Sequence, residues 1–215
     1  MDCSGNKIVH TIVVDQQGKG DFTTVQAAID SIKENNDQWV KIHVNPGKYI
    51  EKVIISEDKA CIFLEGQGKE VTTVTSSGYH RAAATAASSK YKINDHLGAT
   101  FVCFPSNVIV IGITFQNSYN LVGSEAIEPA PAAAIYGFVT AQSRESENEE
   151  SGFVFRGGCV VGNGEVKLGR AYGAYSRVIF YGTYLSSVVS PQGWDAWGYT
   201  GQDFDDAGPG LLMVR

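Results

Sequence analysis

The sequence predicts an all-β fold, a parallel β-helix with one short helix covering its N-terminal end. Three observations carry that expectation. From residue 40 onward the chain is a series of short β-branched and aromatic segments interrupted by Gly, Asn or Pro. These segments return at roughly 20–25 residues, the scale of one solenoid coil. Only one segment has helical periodicity, too little helix to cover both faces of an open parallel sheet.

The helix comes first. Thr23 and Gln26 have the Thr-x-x-Gln spacing of a capping box, Val25, Ala28, Ile29 and Ile32 form an apolar stripe, and Asn35-Asn36 supplies a stop. A stacked solenoid must seal its open ends, so an isolated amphipathic helix near the N-terminus is expected to act as a cap. Strands are expected at residues 40–44, 52–55, 61–65, 72–75, 100–104, 108–115, 133–136, 152–155, 159–161 and 177–181. Corners are marked by Pro46-Gly47, Gly66, Gly68, Gly112, Gly157-Gly158 and Gly162. The unbroken apolar run at 108–111 predicts a strand covered on both faces, which fits a sandwich or a filled solenoid, and the coil spacing favours the solenoid. In ITFQNS (113–118), Asn117 is expected to point inward at a coil corner and bond backbone across rungs. Residues 76–89 form an irregular Ala/Ser-rich excursion, and the acidic residues 145–150 read as a solvated loop.

Composition bounds the function. The 215 residues, 43% of them hydrophobic, suit a single domain spanning 1–215 with a substantial core. A net charge of −6 without a basic cluster argues against nucleic acid. No segment reaches the roughly 18 apolar residues of a membrane span, and MDCSGNKIVH lacks the apolar run of a signal peptide. Cys3, Cys61, Cys103 and Cys159 lie far apart, which leaves buried thiols, one or two disulfides, or metal ligation open. His10, His43, His80 and His96 have no close Ser or Cys partner, and there is no G-x-S-x-G, H-E-x-x-H or phosphate loop. Triad hydrolases, zinc enzymes and nucleotide enzymes therefore rank low, and neither a metal nor another cofactor is expected.

The candidate site is LGRAYGAYSRVIFY (168–181), followed by GWDAW (193–197). A guanidinium among planar rings is the composition of a cleft for acidic sugars. Arg170, at a strand end, is expected either to close a turn at the surface or to orient a carboxylate. Tyr172, Trp194 and Trp197 can each be core aromatics. Tyr172 is also placed to stack on a sugar ring, and Trp194, in the loop after Pro191 and Gly193, to form a second wall. Tyr175 is expected in the core.

Ordered motifs through nearly the whole chain then resemble the plant pectin methylesterase (pectinesterase) family. They are GDFTTVQAAIDSI (20–32), PGKYIEKVII (46–55), GITFQNSYN (112–120), PAAAIYG (131–137), FVTAQSR (138–144), GFVF (152–155), LGRAYGAYSRVIFY and GWDAW. The resemblance implies a right-handed parallel β-helix, secretion to the cell wall, and hydrolysis of homogalacturonan methyl esters. It implies an Asp nucleophile, a second Asp as general acid/base, Gln donors to the oxyanion, and an Arg that holds the nucleophile. Arg170 matches that Arg, Tyr172 the aromatic two residues on (Trp in the family's LGRPW), and Trp194 the aromatic of the following loop. Pectin is the implied ligand, proteinaceous pectinesterase inhibitors are implied partners, and a monomer is expected.

The departures are equally specific. The family's QDT and DFIFG motifs, which carry both aspartates, belong between the segments matching AAIYG and FVTAQSR, but here Gly137 runs directly into Phe138. About two coils are missing, a unit a solenoid can lose with its stacking kept. Pro131 stands where the family has another Gln, and the chain ends eighteen residues after Trp197, which predicts a shortened C-terminus. The chain is thus expected to have little or no esterase activity. The alternatives are a non-catalytic pectin-binding module, or a chain that does not fold stably because strand edges are left open.

Overall fold

The computed structural model describes residues 3–5, 7–78, 98–118 and 137–196. The strand expected at 133–136, most of the 76–89 excursion, Pro131 and Trp197 lie outside them. Two compact units divide the chain, Met1–Ile127 and Glu128–Arg215.

The first unit runs β1 (Ile8–Val14), α1 (Val25–Asp30), β2 (Trp39–Val44), β3 (Gly47–Ile50), β4 (Val53–Ile55), β5 (Ile62–Gly66), β6 (Thr72–Ser76), β7 (Phe101–Cys103), β8 (Val108–Ile111) and β9 (Thr114–Asn117). Every ladder is parallel: β1-β2-β5-β8, β3-β6-β9 and β4-β7. The chain visits three ladders in turn and comes back to the first, so each circuit is a three-faced coil. Register pairs Ile42 with Leu64, one short coil apart, and Leu64 with Val110 after a longer stretch of chain. This is a parallel β-helix, as expected.

Alternation places the core. Val40, Ile42 and Val44 of β2, Ile62 and Leu64 of β5 and Val74 of β6 are buried in one cluster. The last rung differs from expectation. Val108 and Val110 pack against that cluster, but Ile109 and Ile111 are 46% and 45% exposed, so β8 is covered on one face only. Consecutive apolar residues mark a doubly covered strand only where something lies on both faces, and among the described residues β8 has the core on one face alone.

Helix α1 buries Val25, Ala28 and Ile29 completely, with Ile32 beside them. Its N-cap is Thr24 and not Thr23: the Thr24 hydroxyl accepts from the Ala27 N–H at 3.2 Å. Gln26 does not reach back to the cap. Its amide bonds the Ile54 backbone through both ends and donates to Asp30, tying α1 to β4. The orphan N–H groups of Val25 and Gln26 go instead to the Glu51 carboxylate, each at 2.9 Å.

Two corner glycines stack. A Cβ on Gly66 would lie 2.4 Å from the Gly112 carbonyl oxygen, and Gly112 itself has φ +64°, so both corners need glycine. Asn117 bonds backbone across segments, as expected, but from an exposed position: its amide donates to the Gly78 and Gly98 carbonyls, at 3.3 Å each. Cys3 and Cys61 form a disulfide, while Cys103 and Cys159 are outside any disulfide.

The second unit repeats the scheme: β10 (Gly137–Gln142), β11 (Phe153–Arg156), β12 (Cys159–Val160), β13 (Val166–Ala171), β14 (Val178–Tyr181), β15 (Tyr184–Leu185) and β16 (Trp194–Asp195). Its ladders β10-β13-β16, β11-β14 and β12-β15 are again parallel. The core here is small, with Leu168, Val178 and Phe180 buried and Phe153, Val160, Val189 and Trp194 around them. Phe155 stacks on Phe180, centroids 4.5 Å apart.

Candidate functional site

The site grows from β13, which sequence patterning alone does not mark as a strand. VKLGRA has no clean alternation, and it is held as a strand by its two neighbours, β10 and β16. Register sets Lys167 beside Phe138, and Arg170 between Ala141 on one side and Asp195 on the other.

Arg170 is half-buried, and its guanidinium lies over two rings, 5.0 Å from the Phe138 centroid and 4.4 Å from that of Tyr172. It also donates from Nη2 to the Tyr172 hydroxyl. A planar guanidinium between rings gains cation–π attraction while its face is shielded from water. Tyr172 lies one residue past the end of β13, and its N–H continues the ladder to the Gln142 carbonyl at 3.0 Å. The structure therefore brings Arg170 and Tyr172 together and adds Phe138, the first residue of FVTAQSR.

Trp194 stands differently. Its ring covers Gly169, where an added Cβ would fall 2.8 Å from the indole and 2.4 Å from the Thr140 hydroxyl. It packs on the Leu168 cluster, 6.2 Å from the Phe180 centroid, and its indole N–H is buried with no hydrogen-bond partner among the described residues. Trp194 is thus partly a core residue, half-buried at the margin of the Arg170 cluster.

Sequence reasoning missed two charges. Lys167, 8% exposed, donates from Nζ to Asp195 Oδ2 at 2.7 Å. Lys167 is three residues from Arg170 on a strand, a spacing that does not place two side chains on one face. Asp195 arrives from the next rung, and only the stacking register joins it to this cluster.

The tail of the site is fixed from below. Arg144, 4% exposed, donates to the carbonyls of Glu147, Glu149 and Tyr175, the last two at 2.5 and 3.3 Å. The loop at 145–150 is therefore more than a solvated acidic run: its side chains are mostly exposed, but its backbone wraps a buried guanidinium. A Cβ on Gly173 would sit 2.3 Å from the Arg144 carbonyl oxygen, so the turn after Tyr172 closes directly on Arg144. Tyr175 is half-buried there.

Other reactive groups are bound into structure. His43 bonds Glu65 through Nδ1 at 3.0 Å and meets Gln67 through Nε2 at 3.1 Å. Hydrogen bonds from Lys41 and then His43 hold the Glu65 carboxyl below its ordinary range. Burial pushes the Cys103 thiol up to about 12, which makes it a poor nucleophile. Among the described residues no group of three or more His, Cys, Asp or Glu is placed to hold a metal ion.

Comparison with known proteins bears on this geometry. The pectinesterase family model matches residues 11–130 and 121–205, two stretches that overlap at 121–130. A putative pectinesterase 10 of Arabidopsis thaliana is 32% identical, covering 94% of this chain and 75% of that protein. Probable pectinesterase 67 of the same plant is 33% identical, covering 89% and 71%. The first alignment runs over 268 positions, more than this chain's 215 residues, so that relative carries residues with no counterpart here. Among solved structures, a pectin methylesterase from carrot aligns over 99% of this chain and 90% of its own, at 15% identity and TM-score 0.46. A pectin methylesterase mutant in complex with a hexasaccharide aligns over 87% and 58%, at 16% identity and TM-score 0.45.

Proposed function

The chain belongs to the pectinesterase family, whose reaction is hydrolysis of pectin methyl esters, and we propose that this member keeps the pectin-binding wall but has little or none of the esterase chemistry. The observation that carries the reading is Arg170, stacked between Phe138 and Tyr172 on a strand end. A fixed cation beside ring surfaces recognises a uronic acid polymer: the guanidinium takes carboxyl or ester oxygens and the rings take the apolar faces of the pyranose. Tyr172 and Trp194 are the substrate-binding aromatics in this reading, and Arg170 is the group that would hold a nucleophilic carboxylate.

The loss of chemistry follows from sequence. Ester hydrolysis by the family route needs an Asp to attack the carbonyl carbon and a second acid to protonate methanol as it leaves. Neither motif is present between Gly137 and Phe138. The long alignment with the Arabidopsis relative supports a loss of residues from this chain, and the order of the motifs puts it at this step in the present reading. The single β-helix domain of 1–215 is, in this reading, an internally shortened one. Asp195 is the in-register neighbour of Arg170 on the next strand, but its carboxylate is paired with Lys167. It is not in a motif that matches either catalytic Asp.

The cell wall is the proposed location, and the Cys3–Cys61 disulfide supports an oxidising compartment. The proposed state is a monomer, with pectinesterase inhibitors as protein partners. Affinity electrophoresis through gels containing methylated pectin tests the binding. Retardation of the wild type that weakens in Trp194→Ala and Arg170→Ala is expected; migration equal to that in a plain gel would overturn the reading.

A further inference from the structure

Tyr172 stands where the ladder thins. Strand β16 pairs with Gly169 and Arg170 and no further, so among the described residues the chain beyond Arg170 is held from the β10 side. There the last residue of β10 and the two after it form a cradle. Tyr172 and Tyr175 donate their N–H groups to the carbonyls of Gln142 and Arg144, at 3.0 and 3.1 Å. The Gln142 amide oxygen takes the Arg177 N–H at 2.9 Å, and the Arg144 guanidinium donates to the Tyr175 carbonyl at 3.3 Å. Ser176 closes the turn from inside: its hydroxyl donates to the Gln142 carbonyl and accepts the Gly173 N–H at 3.2 Å. Gln142, Arg144 and Ser176 are all buried, so water has little access to these bonds.

We propose that Gln142, Arg144 and Ser176 are positioning residues of the wall, acting on the sugar through the Tyr172 ring. This rests on the reading that the wall binds pectin. Five hydrogen bonds join residues 142–144 to residues 172–177 and fix the backbone from which that ring projects. With the turn held, the ring stays against the Arg170 guanidinium, 4.4 Å from its centroid, before any sugar arrives. With the turn loosened, ring and backbone must be ordered on binding, and that cost is subtracted from the affinity. The burial of the three side chains keeps them off the sugar, so their effect on binding is indirect.

A double-variant cycle separates positioning from general support of the fold. Ser176→Ala, Arg144→Lys and Gln142→Leu are each made alone and together with Tyr172→Ala. Pectin affinity is taken from retardation over a series of pectin concentrations, wide enough to measure weak binding in the Tyr172→Ala background. Melting temperature is taken without pectin. Ser176→Ala alone should weaken binding about fivefold. In the Tyr172→Ala background it should leave binding unchanged and still lower the melting temperature. The other two variants should follow the same pattern, and if one of them does not fold, the remaining pair carries the cycle. Equal weakening of binding in both backgrounds would overturn the inference, as would wild-type affinity in all the folded variants. Either result leaves the binding reading standing. A wild type that pectin does not retard would overturn the binding reading itself.

Discussion

Gly169 is a residue at which the wall is sensitive to a single added carbon. Its missing side chain is the space in which Trp194 and the Thr140 hydroxyl meet, and Thr140 in turn donates to the Leu168 carbonyl at 2.8 Å. Gly169→Ala should cost about 1–3 kcal/mol through overpacking and displace the Trp194 ring. A lower melting temperature with altered near-ultraviolet circular dichroism would show both effects. Arg170 makes a second residue-level case. Arg170→Lys keeps the charge but loses the planar stack over Phe138 and Tyr172, so it should recover only part of the pectin retardation lost in Arg170→Ala. Glu65 supplies a pH signature. Its carboxyl is held below its ordinary range when folded, first by Lys41 and then by His43, so its contribution is complete above the unfolded value of about 4.3 and is lost as pH falls through the folded value. Melting temperatures between pH 6 and pH 3 should therefore fall more steeply for the wild type than for Glu65→Gln.

At the scale of elements, α1 was legible and its cap was not. The stripe Val25, Ala28, Ile29, Ile32 identifies a buried face whatever the fold, and those four residues are the ones the structure buries. The cap depended on an acceptor twenty-five residues away: Glu51 takes two N–H groups of the first turn, a partner that no local capping motif includes. Glu51→Ala should cost about 1–2 kcal/mol, with the loss seen in urea unfolding as a lower midpoint at unchanged slope. The strands divide in the same way. Segments rich in Val and Ile, such as β2 and β5, were readable from composition. GKYI, GFVTAQ and VKLGRA were not, because parallel neighbours and not their own propensities hold them extended. Since β13 is among these, the site's cation and rings could be named from sequence, but Lys167 and Asp195 could not.

At the scale of the molecule, the coil repeat and the scarcity of helix favoured a parallel β-helix over a sandwich, because solenoid periodicity is written in spacing, and the ordered motifs pointed the same way. Each unit closes three parallel ladders of its own. The sequence left the cysteines open, and the structure joins Cys3 to Cys61 across a separation of 58 residues. Reducing that bond should destabilise the first unit by up to about 4 kcal/mol on loop-entropy grounds, read as a fall in thermal stability with dithiothreitol that Cys3→Ser reproduces. The central claim is a family member with its binding wall present and its nucleophile absent. Methanol release from highly methylated pectin tests it most directly. Release indistinguishable from the buffer blank is expected. Release above the blank that disappears in Arg170→Ala would contradict it.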